Sequence, residues 1–167
     1  VMLSHYSAFK VAETFNVLQS FYPGRIELGI GRAPGSDLHT AQALAYPRPL
    51  ADIRDFPQQV TDLIGFLSGT LPESHLFSEV KAQSGPPPLT IPDIWLLGSS
   101  DYSAKLAGTL GLPFSFADFF GTTAHLGPLI ADLYRNSFSP SGYIKEPKFN
   151  VTLQVFCAES EERAAFI

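Results

Sequence analysis

Along the chain, segments whose hydrophobic residues recur at every second position alternate with segments whose hydrophobic residues recur at helical spacing. Residues 25–31 alternate with period two, which indicates a short strand with Ile26, Leu28 and Ile30 on one face and Glu27, Gly29 and Gly31 on the other. Residues 10–22 carry apolar side chains at helical spacing, namely Val11, Phe15, Leu18 and Tyr22. The pattern therefore predicts helices that pack on strands.

A complete strand, helix and strand unit is predicted over residues 93–117. An apolar run is followed by a Gly-Ser-Ser turn, an amphipathic helix that ends at Gly111, and a second apolar run. Strand starts are predicted at Val1, Arg25, Asp93, Pro113 and Phe149, and the last strand runs to a buried Cys157. Strands that alternate with helices predict an α/β fold with a parallel sheet, either doubly wound or closed as a barrel.

Two further helices and one long excursion complete the predicted organisation. A helix capped by Asp55 carries Pro57 in its first turn, and another helix places Leu126, Leu129, Ile130 and Leu133 on one face. Residues 69–92 are rich in Gly, Pro and Ser, with prolines at 86–88, so at most one short strand near Val80 is expected there. We interpret this excursion as part of a single domain over residues 1–167.

Small polar residues follow two of the predicted strands. Ser99, Ser100 and Ser103 lie where a helix begins, and the first N–H groups of a helix have no partner inside it. These groups, the helix dipole and the hydroxyls favour a bound phosphate, although the serines could also act only as helix caps. Arg32 follows the strand at 25–31 and is either a second phosphate ligand or a surface ion-pair residue. Since functional groups gather at the carboxyl ends of parallel strands, we expect an anion site there.

The composition narrows the possible partners. The formal net charge is -5 and no run of Lys or Arg occurs, which argues against nucleic acid and anionic membrane surfaces. No apolar stretch approaches the roughly 20 residues that span a bilayer, and no signal-peptide pattern is present. The single cysteine excludes an internal disulfide and a multi-thiolate metal site, which suits a reducing cytoplasm. The scattered histidines lack metal-ligand spacing, so no metal is expected and no catalytic residue is assigned.

Several motifs resemble those of the bacterial luciferase-like flavin-dependent monooxygenases. The resemblance runs over nearly the whole chain, through residues 5–13, 22–35, 55–60, 95–104 and 110–117. It includes the runs Arg-Ile-Glu-Leu-Gly-Ile-Gly-Arg-Ala-Pro-Gly, which ends at Gly35, and Trp-Leu-Leu-Gly-Ser-Ser-Asp-Tyr-Ser, which ends at Ser103. The chain is most similar to the branch of luciferase-like flavin oxidoreductases whose substrate is unknown.

This resemblance implies a TIM barrel that uses FMN, usually as a dimer. Carried over by position, the residues placed at the cofactor are Arg32, Gly98, Ser99, Ser100, Ser103, Ala117 and, more distantly, Arg54. The substrate side would include His5 and Asp118. His5 could equally be a structural histidine, and Asp118 could either orient a flavin edge or simply end its strand.

A complete barrel needs eight strands over about 250 residues, whereas about five are predicted here. The sequence therefore predicts a partial TIM (β/α)8 barrel that lacks the first two strands and the eighth, as a fragment or truncated gene product would.

The function implied by the resemblance is that of a monooxygenase acting with reduced FMN and O2 on a small organic molecule. A separate flavin reductase would supply the reduced cofactor, and the assembly would be a cytoplasmic homodimer without nucleic acid or membrane partners. Two alternatives remain open. One is a flavin- or phosphate-binding module without turnover, and the other is a deazaflavin-dependent hydride-transfer oxidoreductase.

Overall fold

The computed structural model describes residues 1–33, 35, 37–82, 90–119 and 122–166. The chain divides into two compact units, the first over residues 1–97 and the second from residue 98 onward. Each unit holds parallel strand pairing and helices that pack on it, so the described parts of the chain form an α/β fold.

Unit 1 is built around two parallel strands. Strand β1 (Glu27–Gly31) pairs with β2 (Asp93–Gly98), with Glu27 opposite Asp93 and Gly31 opposite Leu97. Its helices are α1 (Ala8–Phe21), α2 (Leu38–Ala45) and α3 (Phe56–Ser68), and short 3-10 turns cover Leu3–His5 and Ile53–Asp55.

The core of unit 1 lies on one face of these strands. Leu28 and Ile30 of β1 are completely buried, and Ile94 and Leu96 of β2 are almost so. Val60, Leu63 and Leu67 of α3 are also buried. The alternation predicted for residues 25–31 is confirmed, because Glu27 and Gly29 are exposed on the opposite face.

The buried face of α1 differs from the predicted one. Leu18 and Tyr22 are exposed, whereas Asn16 and Gln19 are buried beside Val11. The physical reason is hydrogen bonding, since the Asn16 amide donates to the Ala82 carbonyl at 2.7 Å and the Gln19 amide donates to the Thr90 hydroxyl at 2.6 Å. A hydrophobicity pattern cannot detect amides buried for this purpose.

Unit 2 contains a second parallel pair, β3 (Phe114–Ala117) and β4 (Phe149–Thr152), with Phe114 opposite Phe149. Its helices are α4 (Asp101–Thr109), α5 (Gly127–Ser137) and α6 (Glu161–Phe166). Tyr134 of α5 is fully buried, and its hydroxyl donates to the Leu112 carbonyl at 2.9 Å while it accepts from the Lys148 N–H at 3.0 Å. The Tyr134 side chain thus connects α5 to the residues that precede β3 and β4.

The helix predicted at 126–133 is found as α5, but its buried residues are Ile130, Ala131 and Tyr134. Leu129, expected on the buried face, is 66% exposed. Gly108 explains the close approach of α4 and α5, because a Cβ there would lie 2.9 Å from the Tyr134 carbonyl oxygen.

Two predicted strands are shorter than expected. Near the N-terminus only Met2 forms a parallel bridge, to Gly31, before the chain enters a 3-10 turn. The strand predicted to reach Cys157 ends at Thr152, where its four-residue partner β3 also ends, and Cys157 is exposed rather than buried. The described residues therefore contain four strands where five were predicted.

The excursion at 69–92 is described over its first part and its last residues. Residues 71–80 form successive turns, and no strand occurs near the exposed Val80 within the described range. The prolines at 86–88 lie outside the described residues.

Candidate functional site

The start of α4 carries the serines that the sequence singled out. Ser100 is the N-cap residue, and its hydroxyl accepts from the Ser103 N–H at 3.4 Å. The two hydroxyls of Ser100 and Ser103 are 3.3 Å apart. The expected capping role of Ser100 is therefore confirmed, and Ser99 lies just outside the helix as a partly exposed residue.

Gly98 fixes the position of Ser103 in this turn. A Cβ at Gly98 would lie 2.5 Å from Ser103 Cβ and would overlap its hydroxyl. Ser103 is 7% exposed, so it has little room to move aside. The glycine is therefore required for the first turn of α4 to close against the end of β2.

The first helical turn of α4 ends at Ala104, whose N–H donates to the Ser100 carbonyl at 3.3 Å. The N–H groups at the start of a helix attract negative charge. Asp101 adds a negative charge in this turn, but its carboxylate lies 3.5 Å from the Lys105 ammonium. Both of these side chains are exposed, so the pair is a weak and screened interaction.

The end of β3 brings a second set of polar groups together in unit 2. Ala117 is 3% exposed at the last strand position. Asp118 follows it, donates its N–H to the Thr152 carbonyl at 3.0 Å and accepts from the Thr123 hydroxyl at 3.1 Å. The Asp118 carboxylate is thus held in place by Thr123.

Sequence reasoning missed the threonine and serine hydroxyls beside this strand end. Ser115 of β3 lies diagonally across from Thr152 of β4, and their hydroxyl oxygens are 2.8 Å apart. The polar position within an otherwise apolar strand, Phe-Ser-Phe-Ala, was the available signal.

Arg32 lies where it was predicted, directly after the carboxyl end of β1, and is partly buried. The strand end is held by the Gly31 N–H, which donates to the Val1 carbonyl at 2.9 Å. Unit 1 therefore has an arginine directly after the carboxyl end of a parallel strand, the edge of the sheet at which such folds hold their ligands.

Arg54 is engaged by a neighbouring carboxylate. Its guanidinium donates to Asp52 through Nε at 3.0 Å and through a terminal nitrogen at 2.5 Å, and its side chain is 86% exposed. The hydrogen bond from Arg54 holds the pKa of the Asp52 carboxyl below its usual value, and the same bond raises the pKa of Arg54. An anion would have to compete with Asp52 for this guanidinium.

His5 is 3% exposed and lines a pocket of about 350 Å³ in unit 1. The polar residues of this pocket include Arg48, Asp52, Asp55 and Gln59. The histidine therefore lies beside a polar cavity, at the end of the 3-10 turn Leu3–His5.

The face of β1 and β2 that the helices leave open has a notch at its centre. Gly29 is opposite Trp95 in the parallel register, and no atom of the described residues lies within 4 Å of a Cβ built at Gly29. Unit 1 thus has an arginine directly after β1 and open space at Gly29, and unit 2 has two neighbouring serine hydroxyls at the start of α4.

The described parts of the chain form an α/β protein with parallel strands. Its candidate ligand-binding residues lie near the carboxyl ends of those strands. The sequence profile of the luciferase-like monooxygenases matches residues 1–165, so the chain belongs to the luciferase-like monooxygenase family.

Comparisons with individual proteins agree with this family assignment. An uncharacterized protein YvbT of Bacillus subtilis is 43% identical over 98% of this chain and 46% of its own length. A luciferase-like monooxygenase of Escherichia coli K12 is 40% identical over the whole chain and 47% of its own length. The crystal structure of apo-MsnO8 superposes with a TM-score of 0.81 at 35% identity and covers 99% of this chain and 47% of that one.

The chain thus spans about half the length of the curated relatives it matches. Its fold is that of part of a TIM (β/α)8 barrel, which confirms the predicted fold class. None of the helices in the described ranges combines the length and the apolar character that crossing a membrane requires.

Proposed function

We propose that this chain forms part of the flavin site of a monooxygenase that uses reduced FMN and O2 to oxidise a small organic substrate. The observation that carries the proposal is the start of α4, where Gly98 allows Ser100 and Ser103 to close a turn at the end of β2. Membership of the luciferase-like monooxygenase family supports the same chemistry.

The residues that would hold the FMN phosphate are Ser99, Ser100 and Ser103, together with the first N–H groups of α4 and with Arg32. Each supplies a donor, and donors to a charged phosphate give stronger hydrogen bonds than donors to neutral groups. Arg54 is a weaker candidate because its guanidinium already donates to both carboxylate oxygens of Asp52.

The groups proposed to contact the ring lie on β1 in unit 1 and at the end of β3 in unit 2. Gly29 and Gly31 leave space on one face, and the backbone at Ala117 and Asp118 provides polar atoms without bulky side chains. When bound, reduced FMN supplies the electrons with which O2 is activated and one oxygen atom is transferred to the substrate. The protein's own task is to orient the ring and to exclude water from it.

Two residues are proposed to contact the substrate. His5 has two ring nitrogens that can form hydrogen bonds, and it lines the polar pocket of unit 1. Asp118 is oriented by the Thr123 hydroxyl and could position a polar substrate group. A flavin reductase as the source of reduced FMN, a homodimeric assembly and a cytoplasmic location belong to the same proposal.

The test is a titration of the chain with FMN, followed by flavin fluorescence, for wild type, Arg32→Ala and Arg25→Ala. Arg25 is the matched control, because it precedes β1 at the amino end of the strand whose carboxyl end is followed by Arg32. Loss of a charge-assisted contact should weaken binding by about 1.5–3 kcal/mol in Arg32→Ala. Arg25→Ala should bind as wild type does.

Equal weakening in both variants would indicate a general charge effect and would count against the site. Absence of FMN binding by the wild-type chain would show that residues 1–167 are not a competent flavin site. Tighter binding of a deazaflavin than of FMN would favour the hydride-transfer alternative. Oxygen-dependent consumption of reduced FMN, coupled to substrate oxidation, would separate a monooxygenase from a binding module.

A further inference from the structure

The cavity beside His5 is lined by apolar and charged residues that all belong to unit 1. Its volume of about 350 Å³ lies at the lower end of the usual range for ligand pockets. Residues 4–6 form one side of it, and the other side comes from residues 45–59, which connect the end of α2 to the first turn of α3. A small organic molecule suits this volume.

The more buried part of the lining carries no formal charge when the histidine is neutral. His5 and Ala45 are 3% and 4% exposed, and Gln59 of α3 is half-buried. These residues offer a ligand apolar contact together with an imidazole and an amide that can form hydrogen bonds. The charged lining residues, Arg48, Asp52 and Asp55, are exposed. A charged end of a ligand would therefore face the opening of the cavity.

The two carboxylates of the lining differ in how they are engaged. Arg54 donates to both carboxylate oxygens of Asp52, so the charge of Asp52 is already matched. Asp55 occupies the N-cap position of α3, yet its carboxylate accepts no capping hydrogen bond. The Asp55 carboxylate interacts with Arg54 only through the attraction of opposite charges. Asp55 therefore retains the capacity to accept hydrogen bonds from a cationic group in the cavity.

Arg48 supplies the positive charge of the lining. Among the described residues, no carboxylate lies within ion-pair distance of its guanidinium, and this includes Asp52 and Asp55 of the same cavity. The cavity thus contains a guanidinium and a carboxylate that are not paired with each other. A molecule with only one charge would match one of these groups, whereas a molecule with both charges matches the two together.

We propose that this cavity binds a small zwitterionic molecule of the amino-acid type, with its carboxylate on Arg48 and its ammonium group on Asp55. A guanidinium can donate two parallel hydrogen bonds to a carboxylate, and an ammonium group can donate to Asp55, so both contacts are charge-assisted. The ligand's own side chain would lie against the apolar lining at Ala45. The inference rests on the proposed function, because it names the class of substrate that the pocket at His5 would take.

Three leucine derivatives test the requirement for both charges. Near neutral pH, L-leucine carries both charges, N-acetyl-L-leucine carries the carboxylate alone and L-leucine methyl ester carries the ammonium group alone. Each compound is titrated into the ¹⁵N-labelled chain without FMN, and the amide signals of His5, Arg48 and Asp55 are followed. L-leucine should shift these signals and bind about tenfold more tightly than either derivative. If a derivative binds as tightly as L-leucine, or if L-leucine shifts none of these signals, the proposal is overturned.

Two variants assign each charge of the ligand to its residue. Arg48→Gln should weaken binding of L-leucine about tenfold and leave binding of the methyl ester unchanged, because the ester has no carboxylate to lose a contact. Asp55→Asn should weaken binding of L-leucine by a similar factor and leave binding of N-acetyl-L-leucine unchanged. Weakening of all three compounds by either variant would refute the assignment of that residue.

Arg25→Gln and Asp93→Asn are the matched controls. Both residues are exposed, belong to unit 1 and lie at the amino ends of β1 and β2, outside the lining of this cavity. Each control variant should bind L-leucine as wild type does. If the controls weaken binding as much as Arg48→Gln and Asp55→Asn do, the effect is one of overall charge and the proposal is overturned.

The proposal and the function on which it rests fail differently, because FMN is titrated separately into the same protein. If FMN binds and L-leucine does not, the flavin function stands and the amino-acid site is refuted. If L-leucine binds with the expected preference and FMN does not, the amino-acid site stands and its role as the substrate site of a flavin enzyme is refuted.

Discussion

Gly98 and Ser103 are in van der Waals contact at the point where β2 gives way to α4, and a methyl group on the glycine would lie 2.5 Å from Ser103 Cβ. Gly98→Ala should therefore displace the first turn of α4 and lower the free energy of unfolding by about 1–3 kcal/mol, as overpacking does. Thermal unfolding measures this effect, and FMN or phosphate titration should show weaker binding.

Gly142→Ala is the control for this substitution. Gly142 belongs to the same unit, and a Cβ there would meet no described atom within 4 Å. Its stability should stay near that of wild type. An unchanged Gly98→Ala protein would show that Ser103 can move aside without cost.

Replacing Ser99 or Ser100 by alanine should affect stability and phosphate binding differently. Ser100→Ala removes the N-cap hydroxyl that accepts from the Ser103 N–H and should cost about 1 kcal/mol of stability. Ser99→Ala leaves the cap intact and should change stability by less than about 0.5 kcal/mol, yet it should weaken phosphate binding. Urea unfolding and phosphate titration of both variants would check this, and a Ser99→Ala protein that binds phosphate normally would remove Ser99 from the site.

Tyr134 should be important for the stability of unit 2. Tyr134→Phe leaves the buried Leu112 carbonyl and the Lys148 N–H without their hydroxyl partner. The expected loss is about 1–3 kcal/mol, measured by urea unfolding. Tyr143→Phe, at an exposed position in the same unit, should have little effect. Equal stability of the two variants would contradict this account.

Ionisation of Tyr134 should also lower the stability of the protein at alkaline pH. Burial raises the pKa of Tyr134 above its usual 10.0, although the Lys148 N–H bond opposes this. The folded state therefore retains a proton that the unfolded state loses above that pH, so stability falls as the pH rises further. Wild type should lose stability in this alkaline range, and Tyr134→Phe should lose less.

The exposed pair of Asp52 and Arg54 should lose its stabilising effect at acid pH, whereas Tyr134 limits stability at alkaline pH. The Arg54 hydrogen bond lowers the pKa of Asp52 from 3.8, so the stabilising contribution is present above that value and is lost as the pH falls through the lowered pKa. In Arg54→Ala the Asp52 carboxyl should titrate at a higher pH, as followed by carboxyl ¹³C shifts. Asp37, whose pKa is lowered mainly by the Thr40 hydroxyl, should be unaffected and serves as an internal control.

The strands near the candidate site were predictable because two-residue alternation and apolar runs are local signals. β1 and β3 begin within two residues of their predicted starts, and β2 begins at Asp93 as predicted. The serines of the α4 turn were predictable for the same reason, since a cap is defined by neighbouring residues. The position of Arg32 followed from the end of β1.

Features that depend on distant contacts were not predictable. Asn16 and Gln19 occupy the buried face of α1 because they bind backbone or side-chain atoms near residues 82 and 90, far away in sequence. Helix α2 was not predicted, because glycine and proline occur in the sequence just before its cap Asp37 and obscure the start of the helix. β4 ends early because β3 offers only four residues for pairing, a limit set by another part of the chain.

The early end of β4 has a consequence for handling the protein. Beyond Thr152 the chain continues with Leu153, Val155 and Phe156, which are 59%, 81% and 56% exposed. Short apolar segments of high strand propensity that carry little charge readily stack between molecules. Concentrated solutions of the protein should therefore form aggregates that bind thioflavin. Val155→Lys should delay that aggregation without disturbing either compact unit, since Val155 is 81% exposed.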